Sequence, residues 1–203
     1  MSPPLESLEP WLIPFIPSKG QTAVDVGANR GAWTAYLARR FDRVYAIEPN
    51  PAVLPELKAN RPSNAEIIER GAWSAAGKRE FTVYSPTELF SESTLSAIAD
   101  RPIGRITLAC ATLDSLIAGP VDFIKVDTEG AEAEVLTGAA KILARDRPKL
   151  IIEVHHAADL PKLREFLDGF RYRLEEVREP LTREQVWLIG TAFPDRLDII
   201  LTS

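Results

Sequence analysis

The chain has 203 residues, 45% of them hydrophobic and 26% charged, and its 24 basic and 29 acidic side chains leave a formal net charge of -5. This suits one globular domain with a sizeable core, and no basic tract offers a footprint for a nucleic-acid backbone. One cysteine, Cys110, excludes an internal disulfide and fits a reducing compartment. No stretch approaches the roughly 18 apolar residues of a membrane span, and the first residues lack a basic segment followed by an apolar run, so the expected setting is cytoplasmic.

In chain order, residues 1–20 are Pro-rich with Trp11 and Phe15, and are expected to pack as a segment onto a single domain formed by residues 21–203. Thr22–Gly27 reads as a buried strand, Ala32–Phe41 as a helix and Arg43–Ile47 as a second strand. The helix in 51–60 should start late, because Pro51 and Pro55 are tolerated only in a first turn. Ala65–Ala72 reads as a third strand and Lys78–Tyr84 as an added antiparallel one. Residues 85–104 read as a loop with a short helix, followed by a strand at Arg105–Ala109. Val121–Val126 is the fourth core strand, Glu132–Arg145 one helix with Val135, Leu136, Ala139, Ile142 and Leu143 on a shared face, and Lys149–Val154 the fifth strand. A helix at Leu160–Leu167 and strands at Arg171–Val177 and Arg196–Leu201 complete the pattern, with Trp187–Ile189 a further piece. Alternating strands and helices predict an α/β fold, a doubly wound, mostly parallel sheet closed by an antiparallel C-terminal strand. Ligands of such sheets bind beyond the carboxyl ends of the strands.

The first strand ends in VDVGANRG. Gly27 and Gly31 permit a tight turn and close approach of a ligand, while Asp25, Ala28 and Asn29 complete the loop. The dinucleotide pattern G-x-G-x-x-G is not met, and an acid here would repel a pyrophosphate but suit the amino group of a sulfonium cofactor. Glu48 ends the second strand, where a carboxylate holds ribose hydroxyls. Ala72 and Trp73 end the third and would flank an adenine ring; Trp73 reads equally well as core.

Asp127 ends the fourth strand, with Glu129 and Glu132 at the start of the next helix, where acids are favoured in any case. Lys125, inside an apolar strand, needs a partner, either Glu153 or Asp127. The only two histidines, His155 and His156, end the fifth strand. Asp127, Glu129 or His155 could take a proton, and Lys125 could act alongside them. Asp127, Glu129, Glu153 and His155 could instead hold a divalent ion, although no tight ligand spacing is present and no metal is assigned.

The segments VDVGANRGAW, YAIEPNP, Leu113-Asp114, DFIKVDTEGAE and RPKLIIEVH, in this order across residues 22–156, resemble the FkbM-type methyltransferases. The resemblance implies a class I (Rossmann-like) methyltransferase fold, S-adenosylmethionine as cofactor, and methyl transfer to a hydroxyl of a sugar, glycan or small natural product. The acidic balance argues against a nucleic-acid partner, and the absence of a membrane-length apolar stretch argues against a membrane one. With little chain left for a substrate domain, a pocket completed by a homodimer fits as well. The competing readings are a nucleotide-dependent oxidoreductase, a non-catalytic cofactor-binding module, and a methyltransferase acting on nitrogen, carbon or RNA.

Overall fold

The computed structural model describes residues 8–85, 88–90, 104–178 and 186–193. Its main sheet is built from β1 (Gly20–Val26), β2 (Phe41–Ile47), β3 (Ala65–Ile68), β8 (Phe123–Val126), β9 (Lys149–Val154), β10 (Tyr172–Arg178) and β11 (Val186–Ala192), in the order β10-β11-β9-β8-β1-β2-β3. The five strands from β9 to β3 are parallel, while β11 pairs antiparallel with both β9 and β10. A second sheet has the order β4-β7-β5-β6, from β4 (Gly71–Ala72), β5 (Gly77–Ser85), β6 (Glu88–Phe90) and β7 (Gly104–Ala111). The helices are α1 (Ala32–Leu37), α2 (Leu54–Asn60), α3 (Leu113–Leu116), α4 (Glu132–Thr137), α5 (Ala140–Asp146) and α6 (Leu160–Gly169). Among the described residues no helix is long and apolar enough to cross a membrane.

The alternation of side chains along the central strands sorts them onto two faces. Val24, Val26, Ile124, Val126, Leu150 and Ile152 pack with Val135, Leu136, Ile142 and Leu143 of α4 and α5. Ala23, Val44, Phe123, Ile151 and Trp187 form the opposite core with Trp33, Tyr36 and Leu37 of α1. Leu12, within a 3-10 turn at Pro10–Phe15, and Leu8 and Ile16 on either side of it are buried in that second core, so the described part of the Pro-rich segment is anchored beside β1 and α1.

Five expected elements differ. The helix read as Ala32–Phe41 stops at Leu37, because Phe41 already pairs with Gly20 as the first residue of β2. The strand read as Ala65–Ala72 is two strands in two sheets, divided by a tight turn in which the Arg70 N–H donates to the Ile68 carbonyl at 2.9 Å. The helix read as Glu132–Arg145 breaks at Gly138-Ala139. Asp114 restarts it as α5 by accepting from the Lys141 and Ile142 N–H groups, each at 3.0 Å, while a Cβ on Gly138 would lie 2.1 Å from the Trp73 carbonyl oxygen. Residues 88–90, read as loop, form β6 by adding a hairpin partner to β5, and Trp187–Ile189 is the centre of a full strand, β11. The α2 helix begins at Leu54, late as its prolines require. The strand expected at Arg196–Leu201 and the short helix expected within 91–103 lie outside the described residues.

Candidate active site

The carboxyl ends of β1, β2, β8 and β9 converge on one edge of the main sheet. At β1 the chain turns sharply, with left-handed φ values of 78° at Gly27, 49° at Asn29 and 91° at Gly31. The Gly27 and Ala28 N–H groups donate to the Ile47 carbonyl at 3.0 and 3.1 Å, which ties the loop to the end of β2. A Cβ on Gly27 would sit 1.7 Å from the Asp127 carbonyl oxygen, so only glycine lets the loop lie against the end of β8. Glu48 supports the loop from the β2 side. Its Oε2 accepts from the Asn29 N–H and its Oε1 from the Asn50 N–H, both at 2.8 Å. Burial pushes its carboxyl up, opposed by those two backbone bonds. Each oxygen retains a further lone pair.

A groove of about 240 Å³ opens over this loop, lined by Gly27, Ala28, Asn29, Arg30, Ala32, Trp33, Lys125, Asp127 and Glu9 of the N-terminal segment. A larger and shallower depression of about 610 Å³ lies at the opposite ends of β2 and β3. There Arg43, Lys58 and Arg61 already bind the Tyr45 hydroxyl, Glu69 and the Ala65 carbonyl, and the chemistry-bearing loops are remote.

Not every expected cofactor residue faces the groove. Asp25 is completely buried behind the loop, accepts from the Thr34 hydroxyl at 2.6 Å and lies 3.6 Å from the Lys125 ammonium. It braces the loop from within, which corrects the expectation that it meets the amino group of a cofactor. Ala72 ends β4 of the second sheet, Trp73 follows it, and neither lines the groove. Ala72 joins the main core, and Trp73 packs edge-to-face on Phe81, with 6.1 Å between ring centroids.

Lys125 is 1% exposed and is held by two carboxylates, Asp127 at 3.1 Å and Asp25 at 3.6 Å. The second partner was not foreseen, although β1 and β8 are neighbours and set Asp25 opposite Lys125. Burial alone would lower the ammonium's pKa, but Asp127 and Asp25 override it and hold it above its usual range. Burial raises the Asp25 carboxyl, against the pull of Lys125 and Thr34. For Asp127 the balance is reversed: burial opposes ionisation, and Lys125 and His155 outweigh it, so its carboxyl is held below the usual range.

Beyond Asp127 the acidic loop folds back on His155. Nδ1 lies 3.0 Å from Glu132 Oε1, and Nε2 lies 3.3 Å from Glu129, 3.7 Å from Asp127 and 3.9 Å from Glu153. Burial disfavours the imidazolium, but the bond to Glu132 and the surrounding carboxylates push its pKa up to about 9. Glu153, buried beside Asp127, is pushed up to about 8. Glu129 adopts a left-handed φ of 51° and Gly130 one of 97°, so a non-glycine residue carries backbone strain beside the histidine. Asp127, Glu153 and His155 each offer one donor atom, all within 4.8 Å of one another, a set that could hold a divalent ion.

Three members of this site carry more than their sequence positions suggested. Glu132 looked like an acid favoured by its helix terminus; it is 2% exposed and accepts from the Gly130 N–H while pairing with His155. Glu153 looked like a partner for Lys125 or a metal ligand; Lys125 pairs with Asp127 and Asp25, while Glu153 lies beside Asp127 and His155 in the set that could hold a divalent ion. Glu9 carried no signal, because nothing local places it 24 positions from its partner Trp33.

The comparisons agree with this architecture. A probable ribosomal RNA small subunit methyltransferase A from Pyrobaculum islandicum is 28% identical over 116 residues, 56% of this chain and 49% of that protein. The crystal structure of a methyltransferase FkbM from Methylobacillus flagellatus superposes with a TM-score of 0.68 at 22% identity, covering 93% of this chain and 48% of that one. A Streptococcus mutans protein described as a candidate methyltransferase, solved in complex with SAH, gives a TM-score of 0.50 at 16% identity, covering 94% and 99%. The chain thus spans about half the length of the curated relative and of the FkbM structure. The methyltransferase FkbM domain matches residues 25–174, from the acid beneath the glycine loop to the penultimate strand of the sheet, and the chain belongs to that family.

Proposed function

We propose that this protein transfers a methyl group from S-adenosylmethionine to a hydroxyl of a sugar, glycan or small natural product. The observation that carries the proposal is Asp127, an ionised carboxylate lining the groove over the glycine loop. The residues present suit the donor. The loop turns tightly with Gly27 seated against the end of β8, Glu48 ends β2 with lone pairs left for ribose hydroxyls, and no phosphate-binding glycine pattern is present. When bound, the donor supplies an electrophilic methyl group on a sulfonium.

The chain's own work is alignment and proton removal. Fixing the acceptor oxygen in line with the methyl carbon accounts for much of the rate. As the oxygen attacks, its proton must pass to a base. His155, with a pKa of about 9, is already an imidazolium near neutral pH and has no lone pair to offer. Glu129 does not line the groove, whereas Asp127 does. Asp127 is therefore the acceptor of the proton, Lys125 and His155 hold its charge, and Glu153, pushed up to about 8, is the neighbouring carboxyl that keeps its own proton near neutral pH.

The rRNA methyltransferase relative raises RNA as a second acceptor, which the net charge of -5 disfavours. A screen with labelled donor against sugars, natural-product alcohols and a structured rRNA fragment decides between them; labelled RNA with unlabelled alcohols would overturn the proposal. In the active pair, Asp127→Asn should lower turnover by about 100-fold or more while SAH affinity stays within a few-fold, and unchanged turnover would remove Asp127 from the mechanism. The same assay with chelator separates the two proton routes. Turnover that survives leaves Asp127 acting as a base, and loss restored by magnesium assigns Asp127, Glu153 and His155 to a metal.

A further inference from the structure

The groove has one charged wall that comes from outside the family match. Glu9 lies ahead of residue 25, in the segment anchored by Leu8, Leu12 and Ile16. Its Oε2 accepts from the Trp33 indole N–H at 2.8 Å, which fixes the carboxylate at the groove and leaves Oε1 to a ligand. Lys125, 5.9 Å from the centre of the Trp33 ring, senses the Glu9 charge.

The topology says which part of a donor would meet it. Glu48, the ribose partner, is at the end of β2, on one side of β1. The groove lies over the β1 loop and reaches the end of β8, on the other side of β1. A donor with its ribose at Glu48 therefore extends its amino-acid end across the loop toward Asp127, Trp33 and Glu9. That end is a zwitterion, and its ammonium needs a carboxylate that is not already committed. Asp25 is sealed behind the loop, and Asp127 is paired with Lys125.

We infer that Glu9 is a binding residue for the ammonium of the donor's amino-acid end, so that the N-terminal segment completes the cofactor site. The inference rests on the methyl-donor reading above, and its test separates the two. SAH and 5′-methylthioadenosine share the nucleoside and the thioether, but only SAH has the amino-acid end. Titration calorimetry of both ligands against wild type and Glu9→Gln reads the difference. Gln keeps an acceptor for Trp33 and removes only the charge, so SAH should bind roughly tenfold or more weakly while 5′-methylthioadenosine stays within about twofold. Glu9→Asp, which keeps the charge, should recover part of the SAH affinity, and the unliganded melting temperature of each variant confirms its fold. Equal weakening of both ligands would reduce Glu9 to a structural prop, and unchanged SAH affinity would remove it from the site. Wild type binding neither ligand would overturn the donor reading itself.

Discussion

At the residue scale the site is governed by how buried charges are paired. Lys125 is a cation with almost no exposed surface, and its value lies in neutralising Asp25 and Asp127 rather than in net stability. Lys125→Met should therefore cost about 3–5 kcal/mol in urea denaturation, because it strands two carboxylates; a loss below about 1 kcal/mol would mean that water or other cations already screen them. His155 gives a pH signature. Its folded pKa, about 9, exceeds its ordinary value of 6.5, so its contribution is fully present below about pH 6.5 and is lost as pH rises through 9. Glu153 acts in the same direction between its ordinary 4.5 and about 8. The difference in melting temperature between wild type and His155→Gln should be largest near pH 6 and shrink toward pH 10. A difference that grows with pH would contradict the imidazolium. Lys125's need for a partner was legible in the sequence, because an ammonium among Phe, Ile and Val cannot be left alone. Asp25 as that partner was not, since it depends on β1 and β8 being neighbours.

At the scale of elements, the glycine loop was legible because a tight turn with left-handed φ values favours glycine, and Gly27 also lacks the Cβ that would strike the Asp127 carbonyl at the end of β8. Element boundaries were less legible where tertiary contacts override local pattern. Periodicity runs through Gly138, yet the helix breaks there because the Trp73 backbone approaches closely and Asp114 caps the second half. Ala65–Ala72 carries no sign that its last residues leave for another sheet. The N-terminal segment could be read as packed but not as part of the site, because the Glu9 bond to Trp33 spans two elements. Leu12, with no exposed surface, is its anchor. Leu12→Ala should cost about 2–5 kcal/mol in denaturant unfolding. A cost below about 1 kcal/mol would show the segment to be peripheral.

For the whole molecule, strand order explains why residues distant in sequence share one edge. Parallel β1, β2, β8 and β9 all end on the same side of the sheet, and their terminal residues, at 25–31, 48, 127–132 and 153–155, become neighbours. The alternating pattern predicted this sheet, and the two antiparallel strands β10 and β11 close one edge of it. The acceptor was not legible on the same terms, because the chain spans half of the FkbM structure and nothing in the donor loop selects a hydroxyl. The central claim is that the loop after β1 binds a methyl donor and not a dinucleotide. Thermal melting with SAH and with NAD tests it most directly. At about 100-fold over its dissociation constant, SAH should stabilise the fold by about 2.7 kcal/mol, a rise of roughly 5–10 °C, and NAD should leave the melting temperature unchanged. Stabilisation by NAD and not by SAH would contradict the account.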